Sequence, residues 1–93
     1  MNIRFYVDSE TGGPHTYRHG VTEDEVEDVV KNPGEDRPGQ EGARVAIGQT
    51  QAGRYLRVIY VPEPSGAFVI TAYDLQGKPL IAYRRRRRQR GKR

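Results

Sequence analysis

The sequence predicts a small α+β domain, in which an antiparallel sheet of about four strands, in the order β-α-β-β-β-α, has helices packed on it. A capped helix near residue 25 follows one alternating segment, and three segments rich in β-forming residues follow the helix. Turns of about four or five residues separate those three segments, and connections this short join antiparallel neighbours. With 93 residues and a hydrophobic fraction of 34%, the chain supports one marginal core and no second domain.

The first strand is predicted over residues 2–7, which alternate between apolar and polar side chains as a half-buried strand does. Residues 8–14 (DSETGGP) are rich in turn-forming residues and end that strand. One helical turn is expected over 15–19, because Pro14 suits a first turn and Gly20 would end it.

The best-specified element is a helix over residues 23–32. Thr22 and Glu25 have the spacing of a capping box, in which each side chain accepts a hydrogen bond from the other residue's backbone. Val21 and Val26 have the spacing of the hydrophobic staple that accompanies it. An Asn-Pro-Gly sequence then ends the helix.

Three strands are predicted in the second half, over residues 43–49, 54–62 and 67–74, after a polar loop at 33–42. The middle segment (RYLRVIYVP) is nearly continuous in β-forming residues, as expected of a central strand. A second helix is expected to open at Pro79 and to dock its apolar start on the sheet. Its crowded cations repel one another, so we expect it to fray before residue 90.

The charge is divided unevenly along the chain. All 12 acidic residues precede position 84, whereas eight of the 16 lysines and arginines lie in 84–93. The body therefore carries −4 and the last ten residues carry +8. The sequence predicts one domain over 1–83 and an arginine-rich tail over 84–93 that continues the C-terminal helix.

Several classes of protein are disfavoured. The chain has no cysteine, which excludes disulfides, a thiol nucleophile and cysteine-ligated metals. It has no apolar run near the ~20 residues that span a bilayer and no signal-peptide core, so we expect a cytoplasmic protein without membrane contact. Phosphate-binding loops and nucleophile elbows are missing, so no cofactor is expected. His15 and His19 have only Asp8 and Glu10 nearby as further ligands, so no metal site is expected.

The arginine run is the most prominent functional signal. Guanidinium groups bind phosphates in a two-pronged geometry, and each contact releases counterions from a nucleic acid. The alternatives are a solubilising tail, or one that pairs with the acidic body or with an acidic partner protein. The predicted RNA-binding residues are Arg84, Arg85, Arg86, Arg87, Arg88 and Arg90.

Other candidates lie in the body. His19 could act as a general acid and base, because imidazole titrates near neutral pH, or it could be a structural ring at the helix entrance. Arginines 44, 54 and 57 project from predicted strands and could stabilise a phosphate, or could face solvent or pair with Glu63 or Asp74. Tyr73 is more typical of a half-buried packing ring than of a catalytic hydroxyl.

The order of motifs resembles a known family. Residues 18–22 (RHGVT), with Glu25 and Val26, resemble the K/R-H-G-[VI]-[ST]-x-x-E helix entry of BrnT-type toxins, which belong to the RelE/ParE superfamily. Residues 44–48, then 53–56 with 58–60, and finally 70–72 resemble three further motifs of that family, in the same order. These motifs are R-x-x-x-G, GR-x-L-x-V-x-Y and I-I-S-A. A neighbouring group of small proteins with no established activity shares the helix entry and the hairpin pattern.

The resemblance implies a RelE-like fold and a metal-independent ribonuclease that a cognate acidic antitoxin neutralises. The RNA 2′-hydroxyl would attack its own 3′-phosphate, with His19 as general acid and base and Tyr73, where arginine is usual in the family, orienting or stacking on a base. Phosphate stabilisation would fall to Arg44, Arg54 and Arg84. The alternatives are a non-catalytic module that binds RNA or the ribosome, and a DNA-binding or partner-regulating component. Oligomeric state stays open.

Overall fold

The computed structural model describes residues 2–91 and contains one five-stranded mixed sheet, in the order β1-β5-β4-β3-β2, with two α-helices. The α+β class predicted from the sequence is confirmed. The elements are β1 (Asn2–Phe5), a 3₁₀ helix (His15–His19), α1 (Glu23–Lys31), β2 (Glu35–Pro38), β3 (Arg44–Gln49), β4 (Tyr55–Glu63), β5 (Gly66–Asp74) and α2 (Gly77–Gly91).

The sheet corrects the prediction of about four antiparallel strands in two respects. The predicted loop 33–42 contains β2, which pairs with β3 at the edge of the sheet. Its sequence, Glu-Asp-Arg-Pro, has no apolar alternation, and charged residues and proline are typical of edge strands. The pairing with β3 therefore makes it a strand.

The second correction concerns β1, which pairs with β5 in the parallel direction, with Asn2 opposite Gly66 and Phe5 opposite Val69. No hairpin joins these two strands, because every other strand lies between them in the chain. The strand also ends at Phe5, since the chain beyond it turns and pairs Val7 with Pro14 in an isolated bridge.

The first helix confirms its predicted cap. The backbone N–H of Glu25 donates to Thr22 Oγ1 at 3.2 Å, and that of Thr22 donates to Glu25 Oε1 at 2.9 Å. Val21 and Val26 are both buried in the core. The preceding 3₁₀ helix occupies the predicted residues and ends at Gly20, which has a left-handed backbone.

The two helices cover opposite faces of the sheet. The valines of α1 pack against one face, which consists largely of the side chains of Ala46, Leu56, Val58, Val69 and Ala72. The start of α2 covers part of the opposite face, where Ile47, Leu75 and Tyr83 form a second, smaller cluster. The expected docking of the apolar start of α2 is thus present.

The docking of α2 depends on a close approach at Gly34. Tyr83 is only 4% exposed, and a Cβ placed on Gly34 would lie 1.9 Å from the Tyr83 hydroxyl oxygen. Arg86 donates two hydrogen bonds to the Glu35 carboxylate, at 2.6 and 2.9 Å. Arg87 donates to the Gly34 carbonyl at 2.9 Å.

The helix continues past the predicted boundary at residue 84 without interruption and extends to Gly91, so the fraying expected before residue 90 is not seen. The contacts of Arg86 and Arg87 with the body relieve part of the repulsion within the arginine run. The first residues of the arginine-rich tail therefore pack against the rest of the domain. The side chain of Arg90, and the predicted tail residues Lys92 and Arg93, lie outside the described residues.

Substituting Gly34→Ala should weaken the docking of α2. The new methyl group would overlap the Tyr83 hydroxyl, and overpacking of this kind costs about 1–3 kcal/mol. The free energy of unfolding, measured by urea denaturation, should fall accordingly. In the control Gly13→Ala, the new Cβ would lie 3.5 Å from its nearest neighbour, in ordinary contact. Equal stability of the two variants would contradict the close packing at Gly34.

Candidate nucleic-acid interface

Most arginines of the body are neutralised by carboxylates. The pairs are Arg4 with Glu63, Arg18 with Asp8 and Glu10, Arg37 with Glu35, Arg44 with Asp36, and Arg54 with Glu25 and Asp74. Among the arginine side chains that the structure describes, those of Arg57 on the sheet and of Arg84, Arg85, Arg87 and Arg88 on α2 have no carboxylate partner. The uncompensated positive charge therefore lies mainly along α2.

An open cleft of about 420 Å³ lies between α2 and the end of the sheet. The Arg84 guanidinium lies over the Tyr55 ring, with 5.8 Å between its Cζ and the ring centroid. The Tyr55 and Tyr83 rings meet edge to face, with 6.1 Å between centroids. None of the described residues that line the cleft carries a carboxylate. They are Asn32, Pro33, Gly34, Gln49, Tyr55, Tyr83, Arg84, Arg87 and Arg88.

This composition suits a nucleic acid. Guanidinium groups bind phosphate oxygens, while an aromatic ring beside a cation offers a stacking platform for a base. The side-chain amides of Asn32 and Gln49 can donate to and accept from base edges. We therefore call this cleft the tyrosine–arginine cleft.

Arg86 has a different role from its neighbours in the run. Its hydrogen bond to Glu35, followed by that of Arg37, lowers the pKa of the Glu35 carboxyl to about 2. The same contact raises the pKa of Arg86. Arg86, predicted to bind RNA, is thus held against the body by an ionised carboxylate and anchors the helix.

The predicted catalytic residue His19 is exposed and lies beside Tyr73. Their rings meet edge to face, with 5.8 Å between centroids, and the His15 ring lies 5.6 Å from that of His19. His15 itself approaches Asp8, with 3.4 Å between Nδ1 and Oδ2. The structure thus places two of the predicted catalytic residues together, at the C-terminal end of β5.

Arg54 lies close to this pair, but carboxylates occupy its guanidinium. It donates to Asp74 at 2.7 Å and to Glu25 at 3.0 Å, and also to the Gly20 carbonyl at 2.8 Å. The pairing with Asp74 is the alternative that the sequence offered. These contacts tie the turn after His19 to α1 and to the end of β5, so Arg54 positions the turn.

The other predicted phosphate-binding residues lie elsewhere. Arg44 donates to Asp36 at 2.8 Å, and it begins β3 at the end opposite Gln49, roughly 16 Å away at the rise of a strand. Arg84 lies on α2, in the tyrosine–arginine cleft. The five predicted catalytic residues therefore do not form one cluster.

Asp8 is fully engaged by the body. Arg18 donates to its carboxylate, and the backbone N–H of Glu10 donates at 2.9 Å, which together lower the pKa of Asp8 to about 2.

Within residues 2–91, no group of three or more potential ligands could hold a metal ion. None of the described helices is long and apolar enough to cross a membrane.

One residue of the sheet, Tyr55, was missed as a site candidate, although it lines the tyrosine–arginine cleft. Arg57, which the sequence offered together with Arg44 and Arg54, lies on the central strand β4 without an acidic partner among the described residues. A cation inside an otherwise apolar strand was visible in the sequence. Nothing in the sequence separated Arg57 from its paired neighbour Arg54.

The fold and the cleft define a small α+β protein that carries a basic helix across one face of its sheet. Residues 17–74 match the family described as "Domain of unknown function (DUF4258)". The match spans more than half of the chain, which therefore belongs to the DUF4258 family. No curated protein and no solved structure matches the chain.

The contact between Glu35 and Arg86 predicts a specific pH dependence. The pKa of Glu35 in the folded state, about 2, lies below its usual value of 4.5. The contact therefore stabilises the fold fully above pH 4.5, and the stabilisation is lost as the pH falls toward 2. Glu35→Gln should lower the free energy of unfolding at pH 7 and have little effect at pH 2.

Denaturation curves at several pH values would measure this dependence. Glu27→Gln is the matched control, because Glu27 pairs with Lys31 on the exposed face of α1. A pH profile for the Glu35 variant that parallels the profile of the natural protein would contradict the assignment.

Proposed function

We propose that the protein binds single-stranded RNA along α2, with phosphates on Arg84, Arg87 and Arg88 and a base on Tyr55. The observation that carries the proposal is the tyrosine–arginine cleft, where arginines lie beside an aromatic ring and no described lining residue is acidic. Elsewhere on the body, carboxylates occupy nearly all the arginines. Attachment to RNA on the ribosome would use the same surface.

A single strand fits this surface better than a duplex. A base can stack on Tyr55 only when its face is free, whereas the faces of paired bases are covered by their neighbours in a helix. Arg85, which is exposed and has no carboxylate partner among the described residues, would add a further phosphate contact. An acidic partner protein that covers α2 would compete with RNA, as an antitoxin would.

Replacing Arg84, Arg87 and Arg88 together by Gln should weaken RNA binding and its dependence on salt. Each phosphate contact contributes about 0.7 to the slope of log affinity against log salt for a single strand. The slope should therefore fall by about 2 for three lost contacts. Fluorescence anisotropy with a labelled 12-nucleotide oligouridine would measure it.

The matched control is the variant with Gln at Arg4, Arg18 and Arg44, which loses the same charge at positions that carboxylates already occupy. Its salt slope should stay near that of the natural protein, with circular dichroism confirming that it folds. Equal loss of affinity in the two variants would mean that net charge, and not the α2 surface, binds the RNA.

The contribution of stacking is tested separately at Tyr55. Tyr55→Leu should cost about 1–3 kcal/mol of binding free energy, because the leucine side chain offers no face for a base. Tyr55→Phe keeps the ring and should bind like the natural protein. Equal affinities for all three proteins, or a preference for duplex DNA in competition, would contradict a base on Tyr55.

A second candidate function is RNA cleavage by a toxin of the RelE type, neutralised by an acidic antitoxin. It is favoured by the exposed His19 ring beside Tyr73 and by the resemblance to BrnT-type toxins. His19 would take the proton from the 2′-hydroxyl as its oxygen bonds to phosphorus. The bond from phosphorus to the 5′-oxygen would break, and the 5′-oxygen would leave with the proton that His19 returns as general acid, producing a 2′,3′-cyclic phosphate.

Under this second function, His19→Ala should reduce RNA cleavage by about 10²–10⁴-fold, the usual contribution of general acid–base catalysis. RNA affinity should not change, since His19 lies outside the tyrosine–arginine cleft. His15→Ala is the control, because His15 faces Asp8. Intact RNA after incubation with the natural protein, together with unchanged growth on induction, would reject cleavage and leave the binding proposal in place.

A further inference from the structure

Arg57 differs from the other arginines of the body. Its side chain makes no hydrogen bond or ion pair with another residue of the described range 2–91, although Arg4, Arg18, Arg37, Arg44 and Arg54 each contact a carboxylate. The Arg57 Nε is buried and has no hydrogen-bond partner within residues 2–91. A half-buried guanidinium that no described residue compensates is costly, so its environment points to an anion from outside.

The sheet places Arg57 on the face that α2 partly covers. Its neighbours across the two adjacent strands are Ile47 on β3 and Tyr73 on β5, and residues directly opposite each other project to the same face. Tyr73 in turn contacts the His19 ring. Thr71, which also projects to this face, has a buried hydroxyl without a partner among the described residues.

A second cleft, of about 320 Å³, opens beside Arg57 on the side of α2 away from the tyrosine–arginine cleft. Arg37 and Arg86 also line it, so three guanidinium groups surround the space. The Glu35 carboxylate accepts hydrogen bonds from Arg37 and Arg86. It does not contact Arg57, whose charge stays uncompensated among the described residues.

We infer that Arg57 is the centre of a phosphate-binding site between α2 and the sheet. The planar guanidinium matches two oxygens of one phosphate group, and the apolar walls formed by Val45 and Ile47 reduce competition from water. Arg86 and Arg37 would add positive potential. The site does not depend on the proposed RNA binding by α2, because it uses different residues on the other side of the helix.

The most direct test observes the Arg57 Nε–Hε group by NMR during a titration with inorganic phosphate at constant ionic strength. The signal is assigned by its disappearance in Arg57→Lys. We expect a saturable shift of the Arg57 signal and an increase in the melting temperature. Arg57→Gln and Arg57→Lys should lose the increase, since lysine keeps the charge but not the planar pair of donors.

Arg4→Gln is the matched control, because Arg4 projects from β1 on the same face but is paired with Glu63. It should keep the phosphate-dependent increase in melting temperature. A shift that does not saturate, one that all arginine signals share, or an equal increase in the Arg57 variants would overturn the site. Without phosphate, Arg57→Gln should fold at least as stably as the natural protein, because the variant loses no partner among the described residues and removes an uncompensated charge.

Two further titrants distinguish the source of the phosphate. Tighter binding of uridylyl-uridine than of inorganic phosphate would assign the site to the backbone of a nucleic acid strand, and the reverse order would assign it to free phosphate. Replacing Arg84, Arg87 and Arg88 by Gln should leave the Arg57 shift intact. Loss of oligouridine affinity in that variant with an intact Arg57 shift shows that the two surfaces act independently.

Discussion

The close approach of Gly34 to Tyr83 is the constraint on which the basic surface depends. Because Gly34 has no side chain, the Tyr83 ring can lie against the chain just before β2, and α2 is held at a fixed position over the sheet. The contact between Glu35 and Arg86 holds the helix one turn further on. A run of five arginines repels itself, so a helix through it needs such contacts, and they also determine which arginines stay accessible.

The same side chain serves different purposes according to its partners. Arg54 connects the turn at Gly20, the first turn of α1 and the end of β5, because carboxylates reach it from two elements. Arg57, three residues further along the chain and within β4, has none of these partners. Most carboxylates of the body thus form ion pairs with arginines of the body. The arginines without such a pair are concentrated on α2 and beside it.

The family match includes some of the candidate functional residues and excludes others. It covers residues 17–74, from the 3₁₀ helix to the end of β5, and so includes His19, Arg57 and Tyr73. It does not include α2. Arg57, the centre of the inferred phosphate site, and the candidate cleavage residues His19 and Tyr73 therefore lie in the part that matches the DUF4258 family. Arg86, which also lines that site, lies outside it. The tyrosine–arginine cleft combines Tyr55 from that part with arginines that lie outside it.

The elements that local chemistry specifies could be predicted from the sequence: the capped helix α1, the turn that ends at Gly20 and the hairpins of β3, β4 and β5. Neighbouring residues determine these elements through caps, turns and alternation. Strand β2 and the parallel pairing of β1 were missed, because both exist only through contact with strands distant in the chain. The site follows the same division. The sequence by itself located the cations and the charge division at residue 84, whereas only the tertiary structure decided which of them are paired, since the carboxylates that neutralise Arg44 and Arg54 come from other elements of the fold.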